Sequence, residues 1–240
     1  MRARVRYAKT GKLRFVSAID LGRLWERALR KADLPIAYSE GFSPHPKVSF
    51  TDALPLGLAS TGEYAELTFA APVDLDAAIA ALNAAFPEGL AVLAAAEAGD
   101  GAPRLARLLQ AVCWDLFYPL GQAAALGSAV RSANAADVLV VGRERKGETV
   151  EVDLKPALHG MAAWEETVRV MVRHVEPPPR PSEVHLALNS FALHLPGPAL
   201  ALRVAQGQPA PDGLLEALSG EFVPLAPSMS LPRPKERATT

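Results

Sequence analysis

The order of two hydrophobic periodicities over residues 1–97 is the feature that most restricts the fold. RARVRYA has the two-residue period of a strand, and Ser17 with Asp20 then forms a capping box ahead of an apolar helical stripe. Strands are predicted over 36–50 and 62–70, a helix after Asp74, and a last strand at LAVLAAAE. The order βαββαβ predicts an α+β fold with a ferredoxin-like N-terminal module, residues 1–98.

A weaker copy of this pattern follows a Gly- and Pro-containing linker. AVCWDLF predicts a strand, GQAAALGSAVRSA a helix, DVLVVGRERKGETVEVDL a hairpin and TVRVMVRHV a strand. A short helix capped by Ser182 and two closing strands, FALHL and ALALRVA, complete a second, related α+β module over 108–205. Residues 206–240 are Pro-rich and are expected to form a mobile tail.

The overall net charge of −1 hides a strong segregation of charge along the chain. Residues 1–50 contain eleven Lys and Arg against four Asp and Glu, whereas residues 51–103 contain eight acidic residues and no basic ones. Clustered basic charge of this kind is typical of a surface that binds a polyanion such as RNA.

One set of candidate RNA-binding residues lies on the first strand. Its alternation places Arg2, Arg4 and Arg6 on the face away from the helices, a face on which related α+β folds bind single-stranded RNA. Tyr64 is the only evident stacking aromatic there. The alternative is that these arginines pair with Glu66 on a neighbouring strand.

A second set of candidates lies on the first helix. Arg23, Arg27 and Arg30 recur at helical spacing and share one face, which could contact phosphates. The alternative is an ordinary solvated face in which Glu26 and Asp33 neutralise part of the charge.

The stretch SEGFSPHPKVSF, residues 39–50, is stiff. Gly41 permits a positive φ, while Pro44 and Pro46 restrict their own φ angles and those of the residues before them. A His45 held between prolines is suited to meet a ligand at little entropic cost, and a rigid turn with an exposed imidazole is the alternative. The candidate ligand-binding residues of this loop are Tyr38, Ser39, Gly41, Phe42, Ser43, His45, Lys47 and Ser49.

Several classes of cofactor and location are not expected. The single cysteine, Cys113, lies in an apolar strand pattern and cannot by itself ligate an iron–sulfur cluster or a cysteine-type zinc site. The sequence contains neither a P-loop nor a GxGxxG loop, so no cofactor is expected on this chain. The absence of a secretory signal or a membrane-length apolar run predicts a cytoplasmic protein.

The stretch from FVSAIDLGRLWERALRKADLPIAYSEGFSPHPKVSF to LPLGLASTGEYAEL resembles a bacterial family of unknown function that is linked to radical-SAM proteins. Members are encoded beside a radical-SAM protein or fused to one, so the resemblance implies such an enzyme as a partner. Ala18 departs from the pattern, since many relatives have His there. The matching residues are Phe15, Ser17, Asp20, Arg23, Arg27, Ala28, Tyr38, Ser39, Gly41, Phe42, Pro44, His45, Pro46, Ser49 and Phe50.

Three functions follow from these features. The first is an RNA-binding accessory protein that presents an RNA or ribonucleoprotein to a separate radical-SAM enzyme. The second is a metal-independent RNA-processing endonuclease in which His45 acts on a 2′-hydroxyl, although no matching acid is evident. The third is an adaptor that docks an acidic protein and binds no RNA.

Overall fold

The computed structural model describes residues 1–145 and 147–226 and confirms the α+β class. The helices are α1 (Ala18–Lys31), α2 (Leu75–Ala85), α3 (Ala123–Ala135) and α4 (Pro181–Asn189). The strands are β1 (Arg2–Lys9), β2 (Val48–Phe50), β3 (Ala59–Thr68), β4 (Leu90–Glu97), β5 (Ala111–Phe117), β6 (Val140–Arg145), β7 (Glu148–Asp153), β8 (Leu158–Trp164), β9 (Thr167–Arg173), β10 (Leu200–Ala210), β11 (Gly213–Glu216) and β12 (Phe222–Pro224).

The N-terminal half has the predicted element order, with strands arranged β4-β1-β3 and β2 on the far side of β3. Both predicted caps are present: the Asp20 N–H donates to Ser17 Oγ (3.1 Å), and the Ala77 N–H donates to Asp74 Oδ1 (3.1 Å). The predicted strand over 36–50 is confirmed only at Val48–Phe50, because two prolines cannot donate to a strand ladder. The rest of that segment is a loop with two isolated bridges, Ile36 with Phe69 and Tyr38 with Pro46.

Trp25 fixes α1 against the sheet. Its side chain is buried and makes edge-to-face contacts with Tyr7 (5.1 Å between ring centroids), Phe50 (5.6 Å) and Phe86 (4.9 Å). Phe50 belongs to β2, so the same aromatic cluster holds the end of the 39–50 loop beside α1.

The C-terminal half repeats this arrangement, with strands in the order β10-β5-β9-β8 and α3 and α4 as its helices. The β6-β7 hairpin, which the sequence predicted, forms a separate two-stranded sheet inserted between α3 and β8. Strand β8 was not predicted, because LHGMAAW alternates weakly and contains a bulge at Leu158/Gly160.

Two local predictions in this half are wrong. FALHL forms turns rather than a strand, and His194 within it has φ +69°. Helix α4 is capped at Arg180 rather than Ser182, because Pro181 occupies its first position and Glu183 accepts a hydrogen bond from the Arg180 N–H (2.9 Å).

One ten-stranded sheet joins the two halves. The junction is a short parallel pairing in which Ala59 and Ser60 of β3 lie opposite Leu202 and Arg203 of β10. Gly62 allows the close approach, since a Cβ there would lie 2.7 Å from the Ala205 Cα. The division into modules 1–98 and 108–205 stays a prediction.

The structure corrects the beginning of the predicted tail. Residues 206–210 belong to β10, β11 pairs with β10, and β12 pairs with β11. Gln206 is buried and donates to the Gly62 carbonyl (2.8 Å), while Pro209 lies beyond the last pairing of β10 with β5. The remainder of the tail, from residue 227, lies outside the described residues.

Candidate nucleic-acid interface

The 39–50 loop is closed by hydrogen bonds at its base. The Ser39 N–H donates to the His45 carbonyl (2.8 Å), the His45 N–H donates to Ser39 Oγ (3.0 Å), and the Lys47 N–H donates to the Ala37 carbonyl (2.7 Å). Gly41 has φ +120°, as the turn requires. A loop tied at its base in this way presents the residues between Ser39 and His45 to solvent.

The loop exposes aromatic, cationic and hydroxyl groups together. Phe42 is fully exposed and Tyr38 is 44% exposed, although aromatic side chains usually bury most of their surface. Ser43, His45, Lys47 and Ser49 are exposed, and Ser39 is half-buried. Stackable rings beside a lysine and several hydroxyl groups are the elements with which proteins hold single-stranded nucleic acid.

His45 lies between two shallow grooves. One, of about 280 Å³, lies on the sheet face that carries the arginines of β1 and is lined by Ser39, His45, Pro46, Lys47, Val48, Ser49, Glu66 and Thr68. The other, of about 180 Å³, separates the loop from α1 and is lined by Gly22, Trp25, Glu26, His45, Pro46, Val48 and Phe50. The imidazole is therefore accessible from both sides of the sheet edge.

The basic residues of α1, the helix that forms one wall of the second groove, are partly neutralised. Arg23 pairs with Asp20 (3.1 Å) and Arg30 pairs with Glu26 (2.8 Å). Arg27 is exposed and forms no ion pair within residues 1–145 and 147–226. Arg27 and Lys47 are thus the cations of the predicted set that are most available for a phosphate.

The arginines of β1 do not form the open surface expected of them. Arg4 is buried, pairs with Glu66 (3.2 Å) and donates to the Pro103 carbonyl, while Arg6 donates to the carbonyls of Thr61 (2.8 Å) and Val204 (3.0 Å). Arg2 and Arg6 keep partial exposure, and Arg2 also pairs with Glu66 (3.3 Å). The alternative of cross-strand pairing with Glu66 is confirmed.

The linker explains why that face is closed. Tyr64, the predicted stacking aromatic, is fully buried against Leu105 and Leu109, and its hydroxyl donates to Glu216 and lies 3.1 Å from the Gln206 carbonyl oxygen. Burial and the Glu216 charge raise the pKa of this phenol, which therefore stays protonated. Leu105 and Leu109 are four positions apart, the spacing of one helical face, so this packing had a local signal that the assignment of the stretch as a linker missed.

The structure also adds residues that the sequence interpretation missed. Gly22 and Phe50 line the groove beside His45, and Thr68 lines the other groove. An isolated glycine within a helical pattern was a usable signal for Gly22. In the described part of the chain, no group of three or more His, Cys, Asp or Glu side chains is placed to hold a metal ion.

The fold and this surface together define a two-part α+β protein with an exposed loop beside a basic helix. The chain belongs to the family described as an uncharacterized protein conserved in bacteria (DUF2344), whose family model matches residues 2–181. A search of the curated proteins gave no match. Of the helices described, none has both the length and the apolar character needed to cross a membrane.

Proposed function

We propose that this protein binds single-stranded RNA through the 39–50 loop and α1, and presents it to a radical-SAM enzyme on another chain. The observation that carries the RNA part is the fully exposed Phe42 on a hydrogen-bonded loop that also exposes Tyr38, His45 and Lys47. Stacking of bases on exposed rings does not depend on sequence, and nearby cations hold the backbone. The radical-SAM partner rests on the family resemblance.

The proposal differs from the original sequence hypothesis in the residues involved. Arg4 and Arg6 are committed to internal hydrogen bonds, so phosphate contacts are assigned to Lys47, Arg27 and the partly exposed Arg2. Arg23 and Arg30 would exchange their intrahelical carboxylate partners for phosphates, which gives a smaller net gain. The radical cofactor, on this proposal, belongs to the partner chain.

The test is titration of a labelled single-stranded RNA, followed by fluorescence anisotropy at several salt concentrations. Phe42→Ala is expected to weaken binding roughly 5- to 150-fold, because stacking of one base contributes about 1–3 kcal/mol. Phe191→Ala is the matched control, since Phe191 is a partly exposed phenylalanine in the other half of the chain. Equal, weak binding by wild type and Phe42→Ala would contradict RNA binding and favour the protein-docking adaptor.

The salt dependence provides a separate prediction about phosphate contacts. Lys47→Ala and Arg27→Ala should each reduce the slope of log affinity against log salt by about 0.7, the value for a single-stranded phosphate contact. Arg131→Ala, an exposed arginine of α3, should leave the slope unchanged. A slope unaltered by both loop and helix substitutions would exclude these phosphate contacts.

His45→Ala separates binding from cleavage. If the protein is an accessory factor, the labelled RNA stays intact in the absence of metal, and this variant binds it more weakly. Cleavage by wild type that His45→Ala abolishes would instead support the endonuclease alternative.

A further inference from the structure

Three arginine–carboxylate pairs of the described chain are buried on both sides, and two of them share one geometry. Arg143 contacts Glu183 through Nε (2.6 Å) and Nη2 (2.7 Å), and Arg169 contacts Asp115 through Nε (2.6 Å) and Nη2 (2.7 Å). In both, the Nε–Nη2 edge of the guanidinium matches the two oxygens of a carboxylate. This edge is the one that these buried arginines use to hold an oxyanion.

Arg203 is the exception. It contacts Glu63 only through Nη1 (2.9 Å), and its buried Nε has no hydrogen-bond partner. Nη2 likewise donates to none of the residues described. The side chain is only 9% exposed and its guanidinium lies 4.9 Å from the centre of the Trp114 ring. An unpaired guanidinium edge at this depth is costly unless another group accepts its hydrogen bonds.

The charges around Arg203 favour an anion. Lys9 and Arg203 are both buried at the junction of the two halves, with Glu63 as the buried carboxylate between them, and Lys9 Nζ donates only to the Val16 carbonyl (2.7 Å). Burial lowers the pKa of His174, as does the charge of Arg203, whereas Asp52 and a hydrogen bond with Gln206 raise it. Because the pKa of His174 is lowered, the imidazole is mainly neutral at pH 7 and adds no positive charge of its own.

We propose that the Nε–Nη2 edge of Arg203 is a binding site for an oxyanion, a carboxylate or phosphate group with two acceptor oxygens, at the junction between the two halves of the protein. His174 is close enough to Arg203 for the arginine charge to lower the pKa of the imidazole. The site is distinct from the RNA-binding loop and does not depend on it. The edge lies where the two halves meet, since Arg203 belongs to β10 and its ion-pair partner Glu63 to β3.

The experiment follows the arginine Nε–H signals by ¹H–¹⁵N NMR in the full chain, with inorganic phosphate in one arm, acetate in a second and chloride as the control. The Arg203 signal, assigned by its loss in Arg203→Lys, should move saturably with phosphate or acetate. The signals of Arg143 and Arg169 should stay in place because Glu183 and Asp115 already occupy their edges. Whichever probe saturates at lower concentration identifies the source of the oxyanion.

Thermal unfolding gives the second measurement. A bound anion stabilises the folded state, so phosphate or acetate should raise the Tm of wild type. Arg203→Lys should weaken the affinity at least tenfold, since lysine lacks the paired donors. If that variant fails to fold, Arg203→Gln with Glu63→Gln removes both charges and should also abolish the anion-dependent rise in Tm. A stationary Arg203 signal with either probe, or an equal rise in Tm in the variants, would overturn the proposal and leave only water at this edge.

Discussion

Asp115→Ala is expected to lower the free energy of unfolding by about 3–5 kcal/mol. This carboxylate accepts both hydrogen bonds from Arg169 in a pair that is almost completely buried, and its removal leaves a guanidinium in the core without its counter-charge. For a chain of this length the loss corresponds to a fall in Tm of about 6–20 °C. Thermal and urea unfolding followed by circular dichroism measure it.

The matched control removes both members of the pair. Arg169→Met combined with Asp115→Leu should be far closer to wild type than Asp115→Ala, because no unpaired charge remains. The double variant keeps some cost, since Arg169 also donates to the Pro224 carbonyl (2.9 Å) and so holds β12 over this face of the sheet. A loss below 1 kcal/mol in Asp115→Ala would show that water reaches the pair.

The second large effect is expected at the junction between the halves. Gly62→Ala should destabilise the protein by about 2–3 kcal/mol, because the new methyl group would meet the backbone of Ala205 at 2.7 Å and 2.9 Å, and backbone gives way less easily than a side chain. The strain should fall on the pairing of β3 with β10. Hydrogen exchange should therefore show the amides of Leu202 and its neighbours losing protection before those of β1.

Alanine at Gly22, unlike alanine at Gly62, is expected to stabilise the protein. A Cβ at Gly22 meets nothing within 4 Å, and alanine in a helix is favoured over glycine by about 0.5–1 kcal/mol. Gly22→Ala should therefore raise the free energy of unfolding slightly. A similar loss of stability in Gly62→Ala and Gly22→Ala would contradict the view that the room for a Cβ determines the effect of each substitution.

The sequence predicted the N-terminal half well because its signals are local. Ser17 and Asp74 cap the helices where expected, and the alternation of Ala3, Val5 and Tyr7 identifies the buried face of β1. Hydrophobic period and capping depend on neighbouring residues only, so one sequence contains the information.

Features that depend on distant segments were not predictable in this way. Arg4 and Arg6 donate hydrogen bonds to backbone carbonyls inside the protein, because Pro103 and Val204, which lie far along the chain, pack against them. The sequence of β1 and its neighbouring strand therefore predicted an exposed basic face, although these distant residues cover it. The unpaired edge of Arg203 was invisible for the same reason, since Glu63 lies 140 positions earlier in the chain.

The loop was the part of the candidate site that sequence predicted best. Gly41, Pro44 and Pro46 indicated a stiff segment, and the structure ties that segment at Ser39 and His45. Turn chemistry is encoded by the residues of the turn itself. The groove beside α1 could not be predicted from the sequence. It forms where Trp25 of α1 packs against Phe50 of β2.

The pairing of β3 with β10 also has a consequence during synthesis. Ser60 reaches its partner carbonyl on Arg203 across 143 positions of the sequence, so the outer edge of β3 at Ala59 and Ser60, which β2 does not cover, stays unpaired while the intervening chain is made. At about 5–20 residues per second, the ribosome needs roughly 7–30 s to supply that strand. Throughout this interval the nascent chain displays a strand edge to any passing polypeptide, and a chaperone that shields it would have its greatest effect before β10 emerges.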